Sequence, residues 1–136
     1  MERRLNALRP DSARRWGKMT AHQMVCHLAD SFRGTMGEKP VAPKSGPFQR
    51  TVMKWGALRV PIPWPHGVPT MPEMDQRRGG TPPAGFEEDV RDLLGLMARF
   101  VSGGKVEHPL FGRMSEWEWN RWAYLHIDHH LRQFGV

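Results

Sequence analysis

His126 and His130 stand four residues apart in the segment Trp122-Ala-Tyr-Leu-His126-Ile-Asp-His-His130-Leu-Arg-Gln133-Phe134. An α-helix turns about 100° per residue, so positions i and i+4 share a face. Two imidazoles at that spacing can grip one metal ion, as in helical H-x-x-x-H pairs. On a helical wheel, Trp119, Trp122, Ala123, His126, His130, Gln133 and Phe134 fall together, while Arg121, Asp128 and Arg132 fall opposite. The two imidazoles are therefore expected to point into the protein, within its most apolar stripe. A buried imidazole needs a partner for each nitrogen. A metal on one nitrogen and a hydrogen bond on the other meets that need. Hydrogen bonds to backbone or water meet it too, so the spacing leaves a structural role open. His129 reads as a flank of the pair, and Gln133, one turn past His130, as a residue placed to bond a ligand or substrate.

A third ligand must come from another element. His27, in Thr20-Ala-His-Gln23-Met-Val-Cys-His27-Leu-Ala-Asp30-Ser-Phe32, lies at the edge of an apolar face made by Ala21, Met24, Leu28, Ser31, Phe32 and Thr35. Asp30 is positioned to orient the second nitrogen of His27, as carboxylates do behind metal-bound imidazoles. His22 is expected on the solvent side of this helix, His66 in a proline-rich loop, and His108 in an extended or turn conformation ahead of Pro109. Cys26 adjoins His27, but helix neighbours diverge by about 100°. Nothing nearby in sequence lowers its pKa, so a nucleophilic role is not expected.

The elements that must position these residues are helices. Capping boxes at Thr20/Gln23 and Ser115/Glu118 mark two starts. Helices are expected near 20–35, 48–59, 86–101 and 115–133. The second should bury Phe48, Val52 and Trp55. The third should bury Phe86, Val90, Leu93, Leu94, Met97 and Val101, with acids in its first turn and Gly103-Gly104 as its stop. Residues 1–18 read as an N-terminal arm. The stretch 60–85 holds seven prolines and no sustained period, which suits a functional loop or a crossover along a bundle. Trp64, Met71 and Met74 are candidates to pin it down. No strand-like alternation appears.

These stretches together resemble the DinB/YfiT-like superfamily, and in particular a bacterial branch that is a domain of unknown function. The resemblance rests on Arg15-Trp16-Gly17-Lys18-Met19-Thr20 leading into Gln23-Met24-Val25-Cys26-His27-Leu28, then Phe86-Glu87-Glu88-Asp89, His108-Pro109-Leu-Phe111-Gly112, and His126-Ile-Asp128-His129-His130-Leu-Arg-Gln133-Phe134-Gly135. It runs from about residue 14 to the end. It implies an all-α four-helix bundle, with the proline-rich crossover between helices 2 and 3. It also implies one divalent metal held by His27, His126 and His130. Zinc, nickel, iron or manganese suit those ligands. Some relatives look like transferases that activate a low-molecular-weight thiol, such as bacillithiol or mycothiol, for attack on an electrophile. The resemblance further implies a homodimer. No residue reads as catalytic beyond the ligands, so the alternative is a non-catalytic metal-binding or dimerisation module.

Composition bounds the rest. At 136 residues the chain reads as one domain, with six Trp, six Phe and nine Met for its core. The formal charge of +6 is spread over scattered residues and pairs such as Arg77-Arg78. No nucleic-acid recognition spacing appears. A small-molecule substrate is expected instead, drawn in by the basic surface. No run approaches the roughly 20 apolar residues of a membrane span, and the N-terminus lacks a signal-peptide pattern. A cytoplasmic protein is the expectation. One cysteine excludes an internal disulfide.

Overall fold

The computed structural model describes residues 1–136 and is all-α, with no named strand. Five α-helices follow in order: α1 (Glu2–Ala7), α2 (Ala21–Thr35), α3 (Lys54–Arg59), α4 (Phe86–Ser102) and α5 (Glu116–Gln133). A π-helical turn, Gln49–Met53, leads into α3, and a 3-10 turn, Pro72–Met74, interrupts the proline-rich stretch.

Both capping boxes form. Thr20 Oγ1 accepts from the Gln23 amide at 3.1 Å, and Gln23 Oε1 accepts from the Thr20 amide at 3.0 Å. Ser115 and Glu118 repeat the exchange at 3.3 and 2.8 Å. Each box satisfies two amides that have no partner within the helix, so α2 and α5 begin at defined residues. Acids at 87, 88 and 89 place negative charge where the α4 dipole favours it.

α2 packs along α4, and α3 lies against α5. Between them runs an aromatic core. Phe32 meets Phe100 at 5.0 Å and Trp122 at 5.8 Å, and Phe100 meets Trp119 at 6.0 Å. The edge-to-face geometry of these pairs adds to their burial. The core also includes Leu5 and Leu8, both fully buried. The N-terminal segment is therefore more than an arm. Arg4 ties it down by donating to Asp128 at 2.7 Å and to the Val136 carbonyl at 2.8 Å.

Three expectations change. The helix foreseen over 48–59 is a π-turn plus the short α3, and Phe48, Val52 and Trp55 are 58, 60 and 60% exposed. A π-turn adds a residue per turn and rotates the apolar positions out of their α-helical stripe; Leu58 is what this segment buries. In α4 the buried face is Val90, Leu93, Leu96 and Phe100, with Val101 at the surface. Phe86, Leu94 and Met97 are half-buried against the core as expected, and Leu96 and Phe100 join the face in place of Val101. Ala29 and Asp30 are buried as well as the expected face of α2.

Candidate metal centre

His27, on α2, meets His126 and His130, on α5. One ring nitrogen from each lies within 4.8 Å of the other two. His27 Nε2 and His126 Nε2 are 3.2 Å apart. The His27 ring centroid is 5.3 Å from that of His126 and 4.7 Å from that of His130, and the two α5 rings are 5.0 Å apart. The three residues singled out in the sequence are thus brought together.

Their outer nitrogens decide what the inner ones can do. His27 Nδ1 lies 3.0 Å from the Met74 carbonyl, which only accepts, so this nitrogen carries the proton. His130 Nδ1 lies 3.1 Å from Gln133 Oε1, while Gln133 Nε2 donates to the Trp16 carbonyl at 2.8 Å. That orientation of the amide fixes the proton on His130 Nδ1. Both Nε2 atoms are left with free lone pairs, and that of His27 faces His126 Nε2, as outer partners arrange in metal centres.

Burial keeps the rings neutral. It lowers the pKa of His27, and it lowers those of His126 and His130 well below the ordinary value, with the neighbouring rings adding to the effect. Neutral imidazole is the form that binds metal. His126 Nδ1 is buried and has no partner. With its proton on Nε2, His126 satisfies His27 but leaves Nδ1 an orphaned acceptor. With its proton on Nδ1, two lone pairs face each other at 3.2 Å. Hydrogen bonding alone does not satisfy the cluster in either tautomer. A divalent cation removes the facing lone pairs, and His126 Nδ1 then keeps its proton without a protein acceptor. Two zinc–nitrogen bonds at a tetrahedral angle hold their nitrogens roughly 3.3 Å apart, close to the spacing present. The residues fit a divalent ion.

The flanking expectations fare differently. Asp30 does not orient His27. Its oxygens accept from the Thr81 amide and hydroxyl, both at 2.7 Å, and pair with Lys39 Nζ at 3.1 Å. Asp30 instead anchors the 75–81 segment, and the Met74 carbonyl just before it takes the orienting role. A backbone carbonyl leaves no mark in the side-chain pattern, which is why the sequence misses it. His129 stays outside the three-nitrogen group. It packs near His130 at 5.3 Å, Trp16 at 5.9 Å and Trp64 at 6.2 Å.

A cleft of about 560 Å³ opens beside His129, lined by Arg15, Trp16, Trp64, His66, Arg121 and Arg132 among others. Trp16 and His66 stack at 3.9 Å on its wall. Trp64 lies 6.0 Å from His126 and is held by its Nε1 donating to the Ala57 carbonyl at 2.8 Å. His66, expected only in a loop, is thus part of a cleft wall.

His108 has a structural part. Its Nδ1 accepts from the amides of Leu110 and Phe111, both at 3.2 Å, and burial pushes its pKa down to about 3. The turn closes through Gly112, whose φ of +64° is a conformation glycine adopts freely.

His22 does not face solvent as expected. Its Nε2 lies 2.6 Å from Asp89 Oδ2, and Cys26 Sγ lies 3.6 Å from the same oxygen. Burial, then Asp89, pushes the Cys26 thiol up to about 12. The wheel of α2 alone does not show what α4 brings against it.

No helix is long and apolar enough to cross a membrane. Searches of curated proteins and of solved structures return no match. A family model described as a protein of unknown function (DUF1569) matches residues 2–135, nearly the whole chain, and the protein therefore belongs to that family.

Proposed function

We propose that the protein is a metal-dependent transferase acting on a small molecule, with a low-molecular-weight thiol as the nucleophile. The observation that carries this reading is the convergence of three ring nitrogens, one from each histidine, with Met74 and Gln133 holding the protons of His27 and His130 on Nδ1. His27, His126 and His130 are the ligands, and three neutral nitrogen donors leave a divalent ion with open positions. Bound there, zinc, nickel, iron or manganese supplies Lewis acidity, lowering the pKa of a thiol or water that binds it.

The chain's own residues supply access and charge. His126 is half-buried as a residue. The cleft runs along α5 past Leu125, Asp128 and His129, beside the three histidines in sequence, and Arg15, Arg121 and Arg132 give it a cationic rim suited to a carboxylate-bearing thiol. Asp128 tempers this charge by pairing with Arg4 and Arg132. Trp16 and Trp64 offer flat apolar walls for an electrophile. The fold in this reading is a DinB-like four-helix bundle of α2, the 48–59 segment, α4 and α5, with 60–85 as the crossover, working as one domain. The exposed Phe48, Val52 and Trp55 favour a homodimer.

The test is to load the full chain, purified without an affinity tag, with Zn²⁺, Ni²⁺, Mn²⁺ or Fe²⁺ and assay thiol conjugation to a model electrophile. Turnover is expected with at least one metal, and His126→Ala should abolish it while keeping the helical signal. Background rates with every metal and thiol, alongside tight metal binding, would favour a non-catalytic metal-binding module instead.

A further inference from the structure

We propose that His22, Cys26 and Asp89 form a second divalent-cation site, distinct from the three histidines and reached from the surface. Their donor atoms lie within 4.8 Å of one another. His22 and Cys26 are an i, i+4 pair on α2, and Asp89 comes from the first turns of α4. Cys26 and His27 are neighbours on α2, so their side chains leave the helix about 100° apart. One helix thus serves two sites on two faces.

The chemistry of the donors selects the ligand. Imidazole and thiolate are the donors that zinc, cobalt and related ions take most readily, and a carboxylate completes a mixed set of three. On binding, Cys26 releases its proton to solvent. The thiolate and the Asp89 carboxylate then cancel the charge of a divalent ion. A position is left for water or another ligand. The side chains of His22 and Asp89 are each 21% exposed, so an ion has a path in, while the sulfur is buried behind them.

Two further observations point to a cation. The chain carries a net charge of +6, yet no lysine or arginine pairs with Asp89; its ionic partner is His22, which is charged only when protonated. Asp89 Oδ2 is also the convergence point of three groups: His22 Nε2, Cys26 Sγ and the Ala84 amide at 3.1 Å. The amide, from the segment just before α4, helps hold the carboxylate in place. The sulfur–oxygen separation of 3.6 Å already suits two bonds to one tetrahedral ion. The imidazole–carboxylate pair is shorter and needs to open by roughly 0.7 Å to reach the same spacing, a small rotation for two partly exposed side chains.

Cobalt reports on this site alone, because Cys26 is the only sulfur ligand of its kind in the chain and the three histidines give no thiolate signal. The full-length protein is titrated with Co²⁺, following the near-ultraviolet sulfur-to-cobalt charge-transfer band and the bound metal per chain. Two ions per chain are expected, with the band rising with one of them. His126→Ala should lose one ion and keep the band, which separates this claim from the three-histidine reading. Cys26→Ala should lose the band and one ion. Cys26 is buried, so His22→Ala and Asp89→Asn give an independent check at partly exposed positions. Each should weaken the cobalt affinity behind the band by at least the roughly 10–100-fold that follows loss of a supporting residue in a metal centre. No charge-transfer band on folded protein at any cobalt loading overturns the proposal. So does a band that His22→Ala and Asp89→Asn leave unchanged.

Discussion

His27 Nε2 and His126 Nε2 face each other across 3.2 Å, although 99 residues separate them in the chain. The Met74 carbonyl accepts from His27 Nδ1–H on the far side of the ring, so His27 presents the Nε2 lone pair to its neighbour. The gap can be filled in two ways: His126 donates into it, leaving its buried Nδ1 an unpaired acceptor, or a cation occupies it.

Gln133→Ala removes the acceptor that holds the His130 proton on Nδ1 and leaves the Trp16 carbonyl without its donor. Zinc affinity, measured by competition with a chelator, should fall by roughly 10–100-fold, while helical content stays near the parent's. Unchanged affinity would remove Gln133 from the metal centre.

Asp30→Asn tests the anchor of the 75–81 segment. The buried carboxylate pairs with Lys39 and accepts two bonds from Thr81. Neutralising one partner of a buried pair should cost about 3 kcal/mol in denaturant unfolding. The Thr81 amide should also lose protection in hydrogen exchange. If stability falls but zinc affinity does not, the Met74 carbonyl keeps its place without Asp30.

Stability of the metal-free chain should depend on acid. His27, His126, His130 and His108 all have pKa values lowered by burial from an ordinary 6.5. Above about pH 6.5 these rings are neutral in both states and their contribution is intact. As pH falls below that, the unfolded chain binds protons that the folded chain refuses, and stability drops. For His108 the loss continues down to about pH 3, at about 1.4 kcal/mol per pH unit. Urea midpoints should therefore decline steadily between pH 7 and pH 5. A flat profile would mean the histidines are not buried as described.

Leu5→Ala tests whether the N-terminal segment belongs to the core. Leu5 is fully buried with Leu8, so truncation should cost roughly 2–5 kcal/mol, as for other buried leucines. A cost below about 1 kcal/mol would return residues 1–8 to the status of a loose arm.

How much could be read beforehand follows from where the information sits. α2 and α5 carry capping boxes, so their starts were legible to the residue. The pairing of His126 with His130 follows from helix geometry within one segment, and His27 stood at the edge of an apolar face. What stayed hidden depends on partners from elsewhere in the chain. Met74 contributes a carbonyl, which has no side-chain signature. Asp30 is close to His27 in sequence, but Thr81 and Lys39 claim it. His22 looked solvent-facing because the α2 wheel contains no α4. Phe48, Val52 and Trp55 follow an α-helical period that the π-turn breaks.

The central claim is that His27, His126 and His130 hold one divalent ion through their Nε2 atoms. Anomalous diffraction at the zinc edge, on crystals of the full chain grown with Zn²⁺, tests it most directly. A peak is expected about 2.0–2.1 Å from all three Nε2 atoms, with Met74 and Gln133 still on the outer nitrogens of His27 and His130. No peak there at saturating zinc, with the three rings packed as now, would contradict it.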